Sequence, residues 1–552
     1  MAAGGASAQS ADQDIRARVE TPSPAKSAVA GPSIQYTSQR PPTNAEEITF
    51  VLNSLTIDGV TAYDQERLEA IYGAFVGKEV ALAKLYEFAA AIQKLYRDDD
   101  FIFTRVIVPA QQIDGGAARL DVIEATIEVA EIEEPEAPIG SVKALAERIV
   151  SKLVGVVNPT GAALERVLFT LNEIPGVTRA TAVPQAGKSG RGALSLYVNI
   201  ERDPVDLVIY ADNRQSRAVG TGILGVIATW NSYSYAGDTT SLALFNSFDY
   251  DNRNLDTGER NTLQLSHSRN VGTGGLRVEG RALFSRTRPG DDLLATGIEG
   301  EQILFGVKAT QPLISSRKLV AKGRAEFEYS NTTTDVSNGA LQVANDAVRV
   351  ASLGLEAVQR DSAGYTSLDL SVRQGVSVFG ASKTGDAALS RADGDPNFTL
   401  VRAVGERELV FNEELSLLMR ASGQYAFAPL LSGEEFALGG TTFGRGFDPS
   451  QFTGDHGFGI MTELKYFRSF TFMEERFAVE PYLFGEMGYI YNIGDGLPES
   501  QGLASFGAGV RLFLPDDLAL ALEFAVPAVG FDENQLIEEE TPRLFLNLTK
   551  RL

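Results

Sequence analysis

The stretch KGRAEFEY, residues 322–329, puts Lys322, Arg324, Glu326 and Glu328 at one parity and Gly323, Ala325, Phe327 and Tyr329 at the other. Successive side chains of a β-strand point to opposite faces, so one face of this strand is fully charged and the other is small or aromatic. LRVEGRALF, 276–284, follows the same plan, with Arg277, Glu279 and Arg281 set against Leu276, Val278, Gly280 and Ala282. In LALALEFAV, 518–526, Leu518, Leu520, Leu522, Phe524 and Val526 alternate with small residues and Glu523. The chain end, RLFLNLTKRL, repeats leucine at 544, 546 and 548. Such segments, separated by turns rich in Gly, Asn, Asp and Ser, fill the chain after about Pro204, and no convincing long helix is available to cover their apolar faces.

Two solvents for those faces are open, a second sheet in a soluble sandwich or lipid around a closed barrel. Dividing the roughly 350 residues after Pro204 by about 22 per strand and connection predicts on the order of sixteen strands, within the even-numbered range of outer-membrane barrels. Closure also removes exposed strand edges, which a bilayer does not tolerate.

Composition bounds the remaining possibilities. The 552 residues carry 72 Asp plus Glu against 49 Lys plus Arg, a net charge of -23 that leaves no basic footprint for nucleic acid. No uninterrupted apolar run of about 18 residues is present, so a helical membrane anchor is not expected. With no cysteines there are no disulfides or thiolate metal sites, and His267 and His456 stand far apart. No cofactor, metal or catalytic residue is expected. The acid runs Glu474-Glu475 and Glu538-Glu539-Glu540 read as solvated loop charge rather than hydrolytic pairs.

Smaller modules precede the strand-rich half. Residues 1–46 read as a flexible leader rich in Ala, Ser, Pro and Gln, with Ala6-Ser7-Ala8 resembling the end of a signal peptide. From Phe50 the order is strand, two helices and two strands, the second helix carrying Leu82, Leu85, Phe88, Ala89, Ile92 and Leu95 on one stripe. EVAEIEEPEAPIG, 128–140, reads as an acidic linker, after which two helices and two strands repeat the plan. The GKS of QAGKSGRGA reads as a hairpin turn, because a phosphate loop needs glycine where Ala182 stands. The expected domains are therefore 47–133 and 134–203, two small α+β modules, and 204–552, a transmembrane antiparallel β-barrel.

Several motifs resemble the two-partner secretion transporters (TpsB, haemolysin activation and secretion proteins) of the Omp85-type barrel superfamily. FTRVIVPAQQIDGGAARLDVIEATI looks like the family's first polypeptide-transport-associated (POTRA) domain, and DLVIYADNRQSRAVGTG followed by WNSYSYAGD resembles its first barrel strands, with Asp212, Asn213, Gly237 and Asp238 at the D-N and G-D signatures. FALGGTTFGRGF resembles the tip of the long sixth extracellular loop, with Arg445, Gly446 and Phe447 keeping the R-G-[YF] core and Gly444 standing where valine is usual. YLFGEMGY supplies the family's F-x-[DE]-x-G wall motif as Phe484, Glu486 and Gly488.

The resemblance implies that the loop folds back into the lumen and that Arg445 meets Glu486 on the inner wall. A charge-assisted bond inside a shielded pore is among the stronger local tethers, and flanking glycines allow close approach. It further implies an outer-membrane location, periplasmic POTRA domains, a monomeric barrel in lipid, and secretion of an unfolded partner protein without ATP. Passenger recognition is expected near Phe103, Arg105, Val106 and Val108, by strand addition or in a groove beside the sheet. A plug helix, frequent in such transporters, is not expected, since residues 9–45 carry no clear amphipathic helix. A barrel-assembly insertase is the nearest alternative, and a passive porin or polysaccharide exporter the next.

Overall fold

The computed structural model describes residues 39–133, 140–248, 259–272, 274–316, 318–494, 497–533, 535–536 and 541–552. Most of the expected leader, residues 134–139 in the second half of the acidic linker, and Glu538-Glu539-Glu540 lie outside these. The chain divides into two compact units, one essentially the residues before Val205 and the other essentially those from Val205 onward.

In the first unit, Ser54–Asp58 runs parallel to Ala117–Ile123, which pairs antiparallel with Arg105–Ile107. The helices Gln65–Tyr72 and Leu82–Asp98 cover this sheet. Asp64 starts the first helix by accepting the Arg67 N–H at 3.1 Å. The second buries Leu85, Phe88, Ala89, Ile92 and Tyr96, at the spacing that puts one stripe toward a core. A second sheet places Thr126–Ile132 parallel to Ala193–Arg202 and the latter antiparallel to Val177–Ala186, with helices Val142–Val150 and Gly161–Asn172.

ARLDVIEATIEVAEI reads as a single strand, yet the structure breaks it. Ala117–Ile123 closes the first sheet and Thr126–Ile132 opens the second, so part of the expected linker is a strand. The cause is Glu124, whose carboxylate accepts the N–H groups of Thr61 (2.8 Å) and Ala62 (3.0 Å) and the Tyr96 hydroxyl (2.6 Å). Burial raises its pKa, while hydrogen bonds from Thr61 and Tyr96 oppose that and leave it below its ordinary value. The two modules also share structure: Asp100 accepts the Ala162 N–H at 2.8 Å at the start of Gly161–Asn172, and Phe103 is buried in the second core. In the turn after Val177–Ala186, Glu128 accepts the N–H groups of Lys188 (2.5 Å) and Ser189 (3.1 Å), occupying the donors a phosphate would need.

The second unit is a closed barrel. Its sixteen spanning strands are Val205–Asp212, Gly222–Asn231, Thr239–Phe248, Arg260–Val271, Leu276–Thr287, Glu299–Ser315, Leu319–Val336, Leu341–Asp361, Gly364–Gly375, Thr399–Val410, Leu415–Ala426, His456–Tyr466 (continued by Arg468–Phe472), Glu475–Tyr491, Ser500–Leu514, Leu518–Asp532 and Arg543–Arg551. Each pairs antiparallel with the next, and the last closes on the first with Asn547 opposite Asp212 and Arg551 opposite Val208.

Burial decides between sandwich and barrel. Leu353, Leu483, Leu544 and Leu546 are exposed on the outside, whereas Glu328, Arg373, Glu463 and Glu523 are buried within. Arg281 pairs with Glu326 (2.9 Å) and Glu328, and Arg373 reaches Glu328 at 2.7 Å, so charged faces from neighbouring strands neutralise each other across the lumen wall. An apolar exterior over a charged interior is the pattern a bilayer selects. Exposed Tyr425, Phe427 and Tyr491 mark one end of the apolar band and Phe411, Phe470 and Phe513 the other, as aromatic belts.

Candidate functional site

The loop 427–455 carries its own short hairpin, Phe436–Leu438 against Phe452–Gly454. It packs Phe436, Leu438, Phe443, Phe447 and Phe452 onto the wall residues Met461, Ile490 and Leu503. Wall glycines make the seat: a Cβ on Gly488 would fall 2.3 Å from Leu438, and one on Gly459 2.5 Å from Phe443. The glycine of the F-x-E-x-G motif is thus the floor under the loop.

At the loop tip, buried Arg445 meets three carboxylates rather than one. Its Nη1 lies 2.8 Å from Glu523 Oε2 and 3.3 Å from Glu463 Oε2, while its Nε is 3.5 Å from Glu486 Oε2. Glu486 acts chiefly on the backbone: its Oε1 accepts the Arg445 N–H and, at 2.6 Å, the Ser505 hydroxyl. The guanidinium also stands 4.1 Å from the centre of the Phe484 ring, which gives that motif residue a cation–π role. Two more arginines complete the cluster, Arg214 at 2.8 Å from Glu523 and Arg511 at 2.8 Å from Glu463. Tyr482 donates to Glu523 at 2.7 Å. Arg511 also reaches Glu480 at 2.7 Å, so every carboxylate of the cluster faces a guanidinium in a place where an unpaired ion is costly.

Gly446 fits because the wall bends for it. A Cβ there would fall 2.6 Å from the Pro527 nitrogen, at a bulge where Ser505 pairs with Pro527 and Ala504 with Val529. Bulges re-aim a strand locally, and proline is tolerated at them. Gly444 has φ +94°, a region strained for side-chain-bearing residues, and Leu503 fills the space a valine would need. Phe447 is buried in the loop's apolar core.

The barrel is closed by more than its ladder. Asn213 Nδ2 donates to the Leu544 carbonyl at 3.0 Å and its Oδ1 accepts the Leu546 N–H at 2.8 Å, so its amide extends the pairing of first and last strands. At the other end Arg551 forks onto Asp206 at 2.7 and 2.9 Å.

The profile of the haemolysin secretion/activation proteins ShlB/FhaC/HecB matches residues 193–512, and that of the ShlB-type POTRA domain matches residues 50–125. The chain belongs to the haemolysin secretion/activation protein family. It is similar to the heme/hemopexin transporter protein HuxB of Haemophilus influenzae, 21% identical over 501 residues that span 88% of this chain and 84% of the relative. In fold it is similar to CdiB from Escherichia coli (TM-score 0.73, 16% identity, 99% of this chain and 98% of the other). CdiB from Acinetobacter baumannii is also similar (TM-score 0.64, 14% identity, 99% of each). This member of the two-partner secretion transporters is thus an outer-membrane barrel with periplasmic POTRA domains, in a family of transporters that work with a secreted partner. Its first strand leaves directly from the periplasmic part, so the long loop 427–455 follows an outgoing strand and belongs to the extracellular end.

The residues expected to touch a passenger are distributed differently. Phe103 is buried in the second POTRA core, and Val106 and Val108 in the first, so none of these three side chains is reachable. Only Arg105 is exposed. The outward N–H of Val106 reaches Gln93 Oε1 at 3.3 Å and that of Val108 reaches Gln39 Oε1 at 2.8 Å, so glutamine amides cap this edge. Among the described residues, the opposite edge strand, Ser54–Asp58, pairs only with Ala117–Ile123.

Glu463, Glu523, Arg511 and Tyr482 escaped the sequence reading. The available signal was a charge at lumen parity in otherwise apolar or small strands, as with Glu523 in LALALEFAV. His267 and His456 do not meet a common partner: the first lies 2.9 Å from Thr240 Oγ1 and the second accepts the Ala426 N–H. No cluster able to hold a metal occurs among the described residues.

Proposed function

We propose that this chain is the pore of a two-partner system, which takes an unfolded, β-prone passenger protein from the periplasm, engages it through its POTRA domains and passes it outward through the barrel without ATP. The observation that carries the reading is the loop 427–455, held in the lumen by an ion cluster at Arg445 and by an apolar patch on wall glycines. Such a tether is strong enough to close the lumen at rest and, being non-covalent, can be exchanged for contacts with a passing chain.

Recognition by strand addition needs an unpaired edge. Among the described residues Ser54–Asp58 offers one, whereas Arg105–Ile107 is capped by Gln39 and Gln93; we therefore assign recognition to the former edge. The side-chain fasteners at Asn213 and Arg551 favour a route through the lumen over a sideways exit into lipid, which an insertase would use. Folding of the passenger outside supplies direction, and one barrel in lipid suffices.

The test is export of a co-expressed passenger, encoded beside this chain and carrying a long β-helical sequence with its own signal peptide. Cells with wild type and with Arg445→Ala are compared after assembly is verified by heat-modifiable mobility. Loss of export by an assembled variant supports the reading, and normal export removes it.

A further inference from the structure

A second buried ion cluster lies outside the tip anchor. Arg391, in the loop between Gly364–Gly375 and Thr399–Val410, has a side chain only 6% exposed. Its Nη1 reaches both oxygens of Asp455, at 2.9 and 2.8 Å, and its Nε lies 2.8 Å from Asp393 Oδ1. Its Nη2 lies 3.3 Å from Asp393 Oδ2 and donates to the Ile493 carbonyl, and Glu435 is 3.4 Å from Nη1.

Asp455 is 0% exposed and stands at the end of the lumen loop, immediately before His456–Tyr466. Its Oδ1 accepts the Leu430 N–H at 2.6 Å, near the loop's other root. Its Oδ2 accepts the Ile493 N–H at 2.7 Å, in the loop after Glu475–Tyr491. One carboxylate therefore joins both roots of the lumen loop to two neighbouring extracellular loops. Between root and tip runs the paired hairpin Phe436–Leu438 and Phe452–Gly454, whose apolar core makes that segment stiff, so movement at the tip loads the root. Without Arg391, Asp455 and Glu435 would share a buried site uncompensated.

We propose that Arg391 is a positioning residue of the gate: by holding Asp455 it keeps the root of the lumen loop and two adjoining loops in one closed arrangement, and the tip leaves the wall only when this lock opens too. The inference rests on the reading of loop 427–455 as the closing element.

The experiment is single-channel recording of the purified full-length protein in planar lipid bilayers, with no passenger present. Arg391→Met keeps length and loses the charge; Asp455→Asn keeps size and an acceptor; Arg391→Lys keeps the charge and loses the fork. All are checked for heat-modifiable mobility first. The expected result is an open probability about tenfold or more above wild type for Arg391→Met and Asp455→Asn, and an intermediate rise for Arg391→Lys, since the lysine lacks the bidentate match. Wild-type gating by assembled Arg391→Met and Asp455→Asn overturns the proposal. If Arg391→Met does not assemble, Arg391→Lys decides in the same way, with wild-type gating counting against the lock. Because no passenger is involved, this failure is separate from that of the transport reading, which export by Arg445→Ala scores.

Discussion

Arg445 and Glu523 meet at 2.8 Å across 78 residues of sequence, and Glu486, the partner the motifs name, instead holds the backbone N–H of Arg445. This division of labour ranks the carboxylates. Glu523→Gln removes the charge facing the guanidinium and is expected to release the loop more than Glu486→Gln, which keeps an acceptor for the backbone. The double exchange Arg445→Glu with Glu486→Arg is expected not to restore closure, because Glu463 and Glu523 would then face a new carboxylate. Breaking a buried pair costs about 3–5 kcal/mol, enough to favour the unseated loop. Channel recordings of the three variants check this; closure regained by the exchange would show that the Arg445–Glu486 contact dominates.

Gly446 provides a test that leaves every charge in place. Gly446→Ala puts a methyl group 2.6 Å from the Pro527 nitrogen, against backbone that cannot swing aside. Overpacking of this kind costs about 1–3 kcal/mol, so loop release weaker than that of Arg445→Ala is expected. Faster cleavage of the 427–455 loop by external protease on intact cells would register it. Cleavage at the wild-type rate would mean that the loop seats without close contact to the bulge.

Strand parity made the barrel legible, because alternation in segments such as 322–329 depends only on local geometry. The pairing of R-G-F with F-x-E-x-G likewise pointed to a loop on the wall. Glu463 and Glu523 stayed hidden because their convergence on Arg445 is a matter of register: Glu463 pairs opposite Phe484 and Glu523 opposite Gly509. No spacing along the chain expresses that. Phe103 was misplaced for a related reason, since the apolar residues that bury it belong to the second module. The break at Glu124 carried a local signal that reading the segment as one strand passed over: the apolar parity shifts there, from Leu120 and Val122 to Ala125 and Ile127.

Asn213 replaces a stretch of ladder at the point where first and last strands diverge. Asn213→Ala leaves the Leu544 carbonyl and the Leu546 N–H without this partner. Each lost bond contributes about 1 kcal/mol, and the heat-modifiable transition in detergent is expected to fall by a few degrees with the folded form otherwise intact. Asn213→Asp keeps one acceptor and loses the donor, so it should fall between. An unchanged transition in both variants would mean that the ladder from Asn547 to Arg551 alone sets closure.

Glu124 gives the POTRA unit a pH dependence of known sign. Its pKa is lowered in the folded state, so its contribution is present above the ordinary carboxylate value of about 4.3 and is lost as pH falls through the lower folded value. In the fragment 39–204, Glu124→Gln should lower stability at pH 7 by about 1 kcal/mol, a figure discounted because the group is only partly buried. Only below that lowered folded value is the wild-type carboxylate protonated in both states, and the gap between the two proteins should narrow as the pH falls toward it. Urea midpoints measured from pH 7 to pH 3 test this directly. A gap that stays constant over that range would show that shape rather than charge makes Glu124 useful, and would leave the Thr61 and Tyr96 bonds as ordinary neutral contacts.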